Sequence, residues 1–326
     1  MGTQELSLLT GNDPRHERVL TPETSPRESE DQAALLRTMV SAYAGGGTSL
    51  RSRGLRTITV VSGKGGVGKT NLSVNLALAM GSQGWRVAVL DADLGLANVD
   101  ILFGMMPKYN LGHVIRGQRD LEDILVAVDD RVLVIPGGAG VQELADLDQI
   151  RQAELIEKLA TLEGKVDVLV VDTGAGIHRN IISFALAADT TVLLTSPEPT
   201  SIRDAYGVLK SLVMSSGGGL DVRLLVNMAM SDEEAEAVAE RIQMAANQFL
   251  GISVPYIGQI PWDRKVRDAV QERRPFFSSF PGCRASLALL GVAGRMVGTE
   301  NLGDEGAGRG VKSFLFRLTR RLGLGK

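Results

Sequence analysis

One stretch of nine residues, Ser62 to Thr70, constrains the fold of this chain more than any other. It reads Ser-Gly-Lys-Gly-Gly-Val-Gly-Lys-Thr, and it joins a strand-like run at residues 57–61 to a helix-like run at residues 72–78. The spacing Gly63-x4-Gly68-Lys69-Thr70 fits a phosphate-binding loop in its strand–loop–helix context. An ordinary glycine-rich turn is the alternative interpretation. The match and its context favour a loop that binds phosphate groups.

Each residue type in this loop has a physical reason to be there. Glycines let the backbone wrap so that successive N–H groups point at phosphate oxygens, and the following helix adds the positive end of its dipole. Lys69 can reach the β- and γ-phosphates, while the Thr70 hydroxyl can bind Mg²⁺. The residues expected to contact the nucleotide here are Gly63, Gly65, Gly66, Val67, Gly68, Lys69, Thr70 and Asn71.

Apolar strand candidates alternate with helical stretches between about Arg56 and Val297. Several of these runs are apolar almost throughout, which is typical of strands that are buried on both faces. The alternation predicts an α/β fold with a doubly wound, mostly parallel sheet. The predicted strands cover residues 57–61, 86–91, 132–135, 167–172, 190–195, 221–227 and 256–259.

Acidic residues follow two of the predicted strands. Asp91 and Asp93 end the second strand, and Asp172 ends the run Val168-Leu169-Val170-Val171. In parallel sheets, ligands lie at the carboxyl ends of the strands. Carboxylates placed there beside phosphate groups can hold a magnesium ion with its waters or orient an attacking water. A pair of aspartates that only cap a turn is the alternative for Asp91 and Asp93.

The second lysine of the loop, Lys64, makes the motif Lys-Gly-Gly-Val-Gly-Lys-Thr, which resembles the deviant loop of the MinD/ParA family of P-loop ATPases. The resemblance implies ATP and Mg²⁺ as cofactors, and a homodimer in which Lys64 reaches the partner subunit's nucleotide. It also implies that Asp93 positions the hydrolytic water. The metal shell would involve Thr70, Asp91 and Asp172. A solvated loop lysine is the alternative for Lys64.

The same family resemblance extends to the adenine end of the site. Asn227 follows a predicted strand at a position where family members contact the base, and residues 260–263, with Pro261, resemble the loop that closes over it. An asparagine at the end of a strand also forms turns on its own account. The adenine contacts are therefore expected from the resemblance rather than from the residues alone.

Longer segments narrow the resemblance to the flagellar-number regulators of the MinD branch, the FlhG/FleN/YlxH group. They are residues 91–100, 135–140, 196–206 and 266–276. The resemblance implies control of flagellar number or placement. It further implies an N-terminal element that stimulates an FlhF-type GTPase of the signal-recognition-particle class, comprising Asp31, Gln32, Ala33, Leu36 and Arg37. Basal-body components and transcriptional regulators are the other candidate partners.

Two tails flank the predicted ATPase domain at residues 56–297. Residues 1–55 are predicted to be a flexible extension with a short helix near residues 31–40, because few large apolar groups are present to order them. Residues 298–310 are expected to form a flexible linker. Residues 311–326 then carry an apolar stripe at helical spacing with basic residues beside it, which is typical of a helix on an anionic membrane surface. The stripe consists of Val311, Phe314, Leu315, Leu318 and Leu322.

The acidic, glycine-rich linker favours an exposed tail helix over one that docks on its own core or on a protein partner. Twelve patterned residues are too few for a stable isolated helix, so folding is expected to accompany membrane binding. ATP-driven dimerisation would then join two copies and strengthen attachment. This interpretation predicts a cytoplasmic protein that attaches reversibly to the inner face of the membrane.

Amino-acid composition and charge limit which other functions are compatible with the sequence. The chain has 326 residues, one cysteine and a net charge of −3, so no overall excess of basic groups indicates nucleic-acid binding. No apolar run is long enough to cross a bilayer. A ParA-like DNA-partition ATPase, or another cell-pole positioning ATPase, remains the second hypothesis, although the acidic balance counts against DNA. An adaptor in which nucleotide is only structural is the third.

Overall fold

The computed structural model describes residues 55–93, 98–138, 143, 149–298 and 310–322. Within these residues the strands are β1 (Arg56–Ser62), β2 (Val87–Ala92), β3 (Val126–Asp129), β4 (Val132–Ile135), β5 (Val168–Ala175), β6 (Thr190–Thr195), β7 (Val222–Ala229) and β8 (Tyr256–Pro261). The helices of the first half are α1 (Lys69–Ser82), α2 (Val99–Leu102), α3 (Leu111–Ile115) and α4 (Gln149–Ala160). Those of the second half are α5 (Arg179–Ala187), α6 (Pro199–Ser216), α7 (Asp232–Leu250), α8 (Arg264–Gln271), α9 (Phe276–Ser279), α10 (Arg284–Gly298) and α11 (Val311–Leu322).

The described strands form one sheet in the order β3-β4-β2-β5-β1-β6-β7-β8. All neighbours pair in parallel except β3 and β4, which form an antiparallel hairpin at one edge. Strand β1 lies at the centre, between β5 and β6, so the loop that follows it emerges in the middle of the sheet edge. The predicted doubly wound, mostly parallel fold is confirmed.

Helices cover both faces of the sheet, and the strands supply apolar side chains to each. Along β2, Val87 and Val89 join the cluster packed under α1 and α10, whereas Ala88 and Leu90 join the opposite cluster with α4, α5 and α11. Alternate residues of a strand point to opposite faces, so a strand covered on both sides must be apolar throughout. This double burial explains the continuous apolar runs of the sequence.

The edge strand β3 was not among the predicted strands. It has only four residues, Val126–Asp129, and their side chains alternate between half-buried and exposed. It pairs with β4 across the turn at Asp130 and Arg131. A strand with one face in solvent carries a short alternating pattern instead of an apolar run, so it lacks the signal that marks the buried parallel strands.

The tail helix α11 corrects the expectation of an exposed membrane helix. In the structure it docks on the helices α4 and α5, with Phe314 fully buried and Leu315 and Leu318 nearly so. The ring of Phe314 packs against that of Phe184, with 6.4 Å between centroids. Val311 and Leu322 are buried as well. The stripe is real, but the core offers a matching apolar surface, which the sequence of the helix alone could not show.

Basic side chains of α11 also find partners on the core. Arg317 donates to the Ala187 carbonyl oxygen at 2.7 Å and forms an ion pair of 2.8 Å with Asp189. Arg321 donates to the carbonyl oxygens of Ser215 and Ser216 at 3.0 and 3.3 Å. Among the large apolar side chains of α11, Phe316 alone lies off the stripe, and it stays 64% exposed. Polar contacts therefore fix the helix in one orientation, in addition to the apolar packing.

Several predicted elements lie outside the described residues. They include the activator element with Asp31, Gln32, Ala33, Leu36 and Arg37, most of the linker, and residues 94–97 after Asp93. Among the helices that the structure does describe, none combines the length and the apolar character that crossing a bilayer would require.

Candidate functional site

The phosphate-binding loop begins in the core and ends at a helix. Strand β1 is buried along almost its whole length, and α1 starts at Lys69 directly after Gly68. The geometry requires glycine at Gly63 and at Gly68. Gly68 has a left-handed φ of 91°, and a Cβ atom at Gly63 would lie 2.2 Å from the backbone oxygen of Asp204. Side chains at either position would force the loop apart.

Lys69 lies in the centre of the site and is only 8% exposed. Its burial lowers the pKa of the ammonium group, and the nearby carboxylates of Asp172 and Asp93 oppose that effect. A cation held in a buried position among backbone N–H groups is suited to a strongly negative ligand. The phosphate contact predicted for Lys69 is compatible with this buried position.

Asp172 is fully buried at the end of β5, beside α1. Its Oδ1 accepts a hydrogen bond from the Ser73 hydroxyl at 2.9 Å. Burial raises the pKa of Asp172 to about 7, and the carboxylate of Asp91 adds to the increase, while hydrogen bonds from Thr70 and Ser73 and the charge of Lys69 lower it. Asp172 and Asp91 stand opposite each other in the β2–β5 register.

The second oxygen of Asp172 provides a test of whether these residues fit a metal ion. Oδ2 is buried and has no hydrogen-bond partner among the described residues. A buried carboxylate oxygen without a partner is costly unless a ligand satisfies it. The Thr70 hydroxyl is a neighbour of the same carboxylate, and hydroxyl and carboxylate oxygens are ligands that Mg²⁺ accepts beside phosphate groups. The residues fit a magnesium ion.

Asp91 braces the loop that follows β2. Its Oδ1 accepts the backbone N–H of Asp93 at 3.1 Å, and its Oδ2 accepts those of Asn98 and Val99 at 3.0 and 3.2 Å. Burial raises the pKa of Asp91 to about 6, although these backbone hydrogen bonds favour the charged form. Both oxygens are therefore engaged with the two ends of the loop. The geometry assigns Asp91 to positioning that loop, beside the proposed metal shell.

Asp93 directly follows β2, and its side chain lies beside Gly174 on the segment after Asp172. A Cβ atom at Gly174 would come within 3.2 Å of Asp93 Oδ1, so the absence of a side chain at Gly174 permits their close approach. The charge of Asp93 also acts on Lys69. The structure brings a carboxylate close to the phosphate loop, which is the placement expected for a group that orients water.

Lys64, at the head of the loop, is held by its own chain. Its Nζ donates to the Glu198 carboxylate and, at 3.1 Å, to the Thr200 hydroxyl oxygen. The lysine side chain is 33% exposed and that of Glu198 is 64% exposed. Both partners lie at the start of α6. The lysine predicted to act in trans thus lies in an ion pair within its own chain.

The two residues predicted to contact adenine, Asn227 and Pro261, lie on the neighbouring strands β7 and β8. Asn227, on β7, donates from Nδ2 to the Val67 carbonyl oxygen at 2.7 Å. Pro261 ends β8 and pairs with Ala229 on the neighbouring strand. Met228, which directly follows Asn227, has a left-handed φ of 63°, which is unusual for a residue other than glycine. The two strand ends and the loop form one continuous edge.

Sequence reasoning missed Ser73, Glu198 and Asp204 as parts of the site. Ser73 lies one helical turn after Lys69, a spacing that puts both residues on one side of α1. Glu198 begins a helix 134 residues after Lys64 in the chain. No local pattern links them, because only the parallel pairing of β1 with β6 brings the segment after β6 beside the loop.

Comparison with known proteins agrees with this geometry. The model of the CobQ/CobB/MinD/ParA nucleotide binding domain matches residues 58–276. The chain is 44% identical over 239 residues to the antiactivator FleN of Pseudomonas aeruginosa, covering 73% of this chain and 85% of FleN. It is 35% identical over 271 residues to the flagellum site-determining protein YlxH of Helicobacter pylori, covering 82% of this chain and 90% of YlxH.

Among solved structures, the chain is similar to the septum site-determining protein MinD of Pyrococcus horikoshii, which was solved as a complex with Mg-ADP. The TM-score is 0.61 at 27% identity, covering 74% of this chain and 96% of that one.

Proposed function

Since the chain belongs to the CobQ/CobB/MinD/ParA nucleotide-binding family and is a Mg²⁺-dependent ATPase of the MinD/ParA type, we propose that it is a dimerising switch that sets flagellar number or placement. Similarity to FleN and YlxH over most of the chain supports the flagellar role. The observation that carries the nucleotide-dependent part of the proposal is the cluster of Lys69, Thr70 and Asp172 around a buried carboxylate oxygen that has no partner among the described residues.

The residues of the site divide the work of ATP hydrolysis. Lys69 and the loop N–H groups bind the phosphates, and Thr70 and Asp172 hold the metal ion. When bound, Mg²⁺ neutralises phosphate charge that develops during transfer. Asp93 orients the attacking water, and Asp91 keeps the loop carrying Asp93 in place through three backbone hydrogen bonds. Bound ATP is thereby sensed by the segments after β2 and β5, which can rearrange on hydrolysis.

Dimerisation completes the site through Lys64. A cation supplied by a second subunit stabilises charge on the phosphates of the first. In the single chain this cation is paired with Glu198, and both side chains are at least partly exposed to solvent. Exposed ion pairs are worth only about 0.2–1 kcal/mol, so a partner's nucleotide can compete for Lys64 at low cost.

Membrane attachment requires the release of α11. Its apolar stripe, which includes Phe314 and Leu318, faces the core in the docked state and cannot contact lipid at the same time. Once released, the stripe and its flanking arginines suit an anionic surface. One helix binds weakly, whereas two helices on one dimer gain about 10²-fold or more from effective concentration. The protein would then act in the cytoplasm and attach reversibly to the inner face of the membrane.

The partner that we propose is an FlhF-type GTPase, stimulated by the element around Gln32. The proposal rests on the resemblance of Asp31-Gln32-Ala33-x-x-Leu36-Arg37 to the activator element of the FlhG/FleN/YlxH group. Basal-body components or a transcriptional regulator would also bind in a way that depends on the nucleotide state.

Size-exclusion chromatography and liposome flotation test the switch together. With ADP we expect a monomer that stays off anionic liposomes, and with a non-hydrolysable ATP analogue a dimer that floats with them. A chain lacking residues 311–326 should dimerise without floating, and Lys64→Ala should bind the analogue without dimerising. A chain that remains monomeric and unbound with the analogue would refute the proposed switch.

A further inference from the structure

A second concave surface lies at the same edge of the sheet as the phosphate loop, beyond β8. It is a groove of about 840 Å³, and none of the residues that line it belongs to the loop at residues 62–70. Two of them, Trp262 and Asp263, belong to the segment 260–263 that resembles the adenine loop. Its walls come from the segments that follow β7 and β8 and from the turn between α9 and α10. The side chains that matter most for its chemistry are Met230, Trp262, Arg264, Lys265, Phe280 and Arg284.

The groove exposes large apolar side chains. Trp262 is 49% exposed and Met230 is 66% exposed, while Phe280 forms part of the same wall. Contiguous exposed apolar groups bordered by charges mark interaction sites more often than plain surface. Tryptophan in particular is enriched among the residues that dominate binding energy. The floor of the groove is therefore suited to an apolar side chain from another molecule.

The acidic side chain in the groove is already engaged. The Asp263 carboxylate accepts the backbone N–H of Lys265 at 2.9 Å and that of Ala285 at 3.3 Å. These bonds cap α8 and hold the first turn of α10 beside it. A carboxylate whose oxygens are satisfied by helix N-termini offers little to a ligand. The charge available to a ligand therefore comes from the basic residues.

Three basic side chains surround the apolar floor. Arg264 is 83% exposed and has only a long contact, 3.9 Å, with Asp268. Lys265 lies over the ring of Phe280 at 4.7 Å from its centroid. Within the part of the chain that the structure describes, neither Lys265 nor Arg284 forms an ion pair. The groove thus combines an apolar floor with two cations, Lys265 and Arg284, that pair with no carboxylate among the described residues.

We propose that this groove binds an acidic peptide segment of a partner protein. A large apolar side chain of the segment would pack on Trp262 and Phe280, and its carboxylates would pair with Lys265 and Arg284. Charge complementarity of this kind selects the partner and its register. Nucleic acid is disfavoured, because three cations on a chain of net charge −3 release few counterions from a phosphate backbone.

The wall of the groove is close to the nucleotide loop, so binding must be measured at a fixed nucleotide state. Trp262 donates its backbone N–H to the Ala229 carbonyl oxygen at 2.8 Å. Two residues earlier on the same strand, Asn227 contacts the loop at Val67. A nucleotide that moves Asn227 would therefore displace the wall that carries Trp262.

Selection from a random-peptide phage library on the full-length chain, with ADP present throughout, tests the proposal. We expect the enriched peptides to carry an excess of Asp and Glu beside an aromatic or aliphatic residue. Their binding is then followed by the fluorescence of Trp262 in a Trp85→Phe background. Burial of the half-exposed indole should shift its emission to shorter wavelength.

Charge reversal decides whether the peptides use the groove. Lys265→Glu with Arg284→Glu should weaken binding by at least about tenfold, since each lost pair becomes a repulsion. Lys210→Glu with Arg241→Glu, at exposed sites on α6 and α7, makes the same charge change elsewhere and should alter binding by less than about twofold. ATPase activity should be equal in both double variants. If charge reversal disturbs folding, Lys265→Gln with Arg284→Gln replaces it.

Four results would overturn the proposal. They are a selection without acidic enrichment, peptides that bind the groove variant as well as the control, single- or double-stranded DNA that binds in a groove-dependent way, and self-association that the groove variant abolishes. The last two would assign the groove to nucleic acid or to a second copy. None of these results depends on the proposed flagellar role, which the dimerisation and flotation experiment tests separately.

Discussion

The side-chain nitrogen of Lys64 contacts the carboxylate of Glu198 in its own chain and lies 3.1 Å from the Thr200 hydroxyl oxygen. The same ammonium group is the one proposed to reach a partner subunit's nucleotide. The two contacts exclude each other, since one ammonium group cannot serve both places. Under the proposed trans role of Lys64, Glu198 would therefore compete with dimerisation, and the strength of the intrachain pair would set part of the ATP requirement.

Removal of this competitor should favour the dimer. We expect Glu198→Gln to increase the affinity of the ATP-bound dimer by up to about 30-fold, because each of the two subunits otherwise breaks one exposed ion pair worth up to about 1 kcal/mol. Light scattering coupled to size-exclusion chromatography, across a concentration series with a non-hydrolysable analogue, measures the change. Glu240→Gln, at an exposed site on α7, provides the charge-matched control. An unchanged dimer affinity would show that the pair does not restrain Lys64.

The buried carboxylate of Asp172 should make the metal-free protein less stable as the pH rises. Burial raises its pKa to about 7, above the value of about 3.9 in an unfolded chain. Between these values the folded state binds more protons than the unfolded state, so the contribution of Asp172 to the free energy of unfolding decreases with pH. Asp172→Asn removes that loss, and we expect it to stabilise the metal-free chain more at about pH 8 than at about pH 5.

Thermal unfolding in EDTA at the two pH values checks this prediction, with the exposed Asp130→Asn as control. The same variant should gain no stability from Mg²⁺ and ATP, whereas the wild-type chain is stabilised by any ligand that binds its folded state. A stabilisation of Asp172→Asn that is the same at both pH values would contradict the assigned protonation behaviour.

The sequence alone predicted those parts of the site that local pattern determines. Lys69 and Thr70 belong to a loop whose spacing and strand–loop–helix context favour phosphate binding over an ordinary turn. Asp172 ends a strand whose apolar run marks it as central. Parallel pairing then brings the strand ends together, because β5 and β6 both flank β1. The sheet and the position of the loop follow from these local signals and from the rule that ligands lie at carboxyl ends of strands.

Features that depend on distant complementarity could not be predicted. Lys64 and Glu198 are 134 residues apart, and nothing near either one indicates the other. Likewise, the stripe of α11 is compatible with lipid or with protein, and only the apolar surface around Phe184 decides for docking in the single chain. An amphipathic pattern specifies that a face will be covered, but not what covers it.

Two phenylalanines of α11 allow the docking of this helix on the core to be tested. Phe314 is fully buried against the core, whereas Phe316 is 64% exposed. We expect Phe314→Ala to release the helix, because loss of a buried aromatic ring costs about 3–5 kcal/mol. Phe316→Ala removes the same ring from solvent and should leave docking intact. Hydrogen exchange of the α11 amides measures the difference, and equal protection in the two variants would be inconsistent with the docked arrangement.

Asp93 offers the sharpest test of hydrolysis, because it should separate ATP binding from ATP turnover. Its carboxylate lies near Gly174 and acts on Lys69, but the phosphate contacts belong to the loop. We expect Asp93→Ala to bind ATP with near wild-type affinity and to hydrolyse it at least about 10²-fold more slowly, the usual cost of losing a group that assists proton transfer or orients water. The variant should then accumulate as a dimer on liposomes.

The control for this prediction is Asp123→Ala, a substitution of an exposed aspartate before β3. Hydrolysis at the wild-type rate by Asp93→Ala would transfer the role of orienting water to another residue.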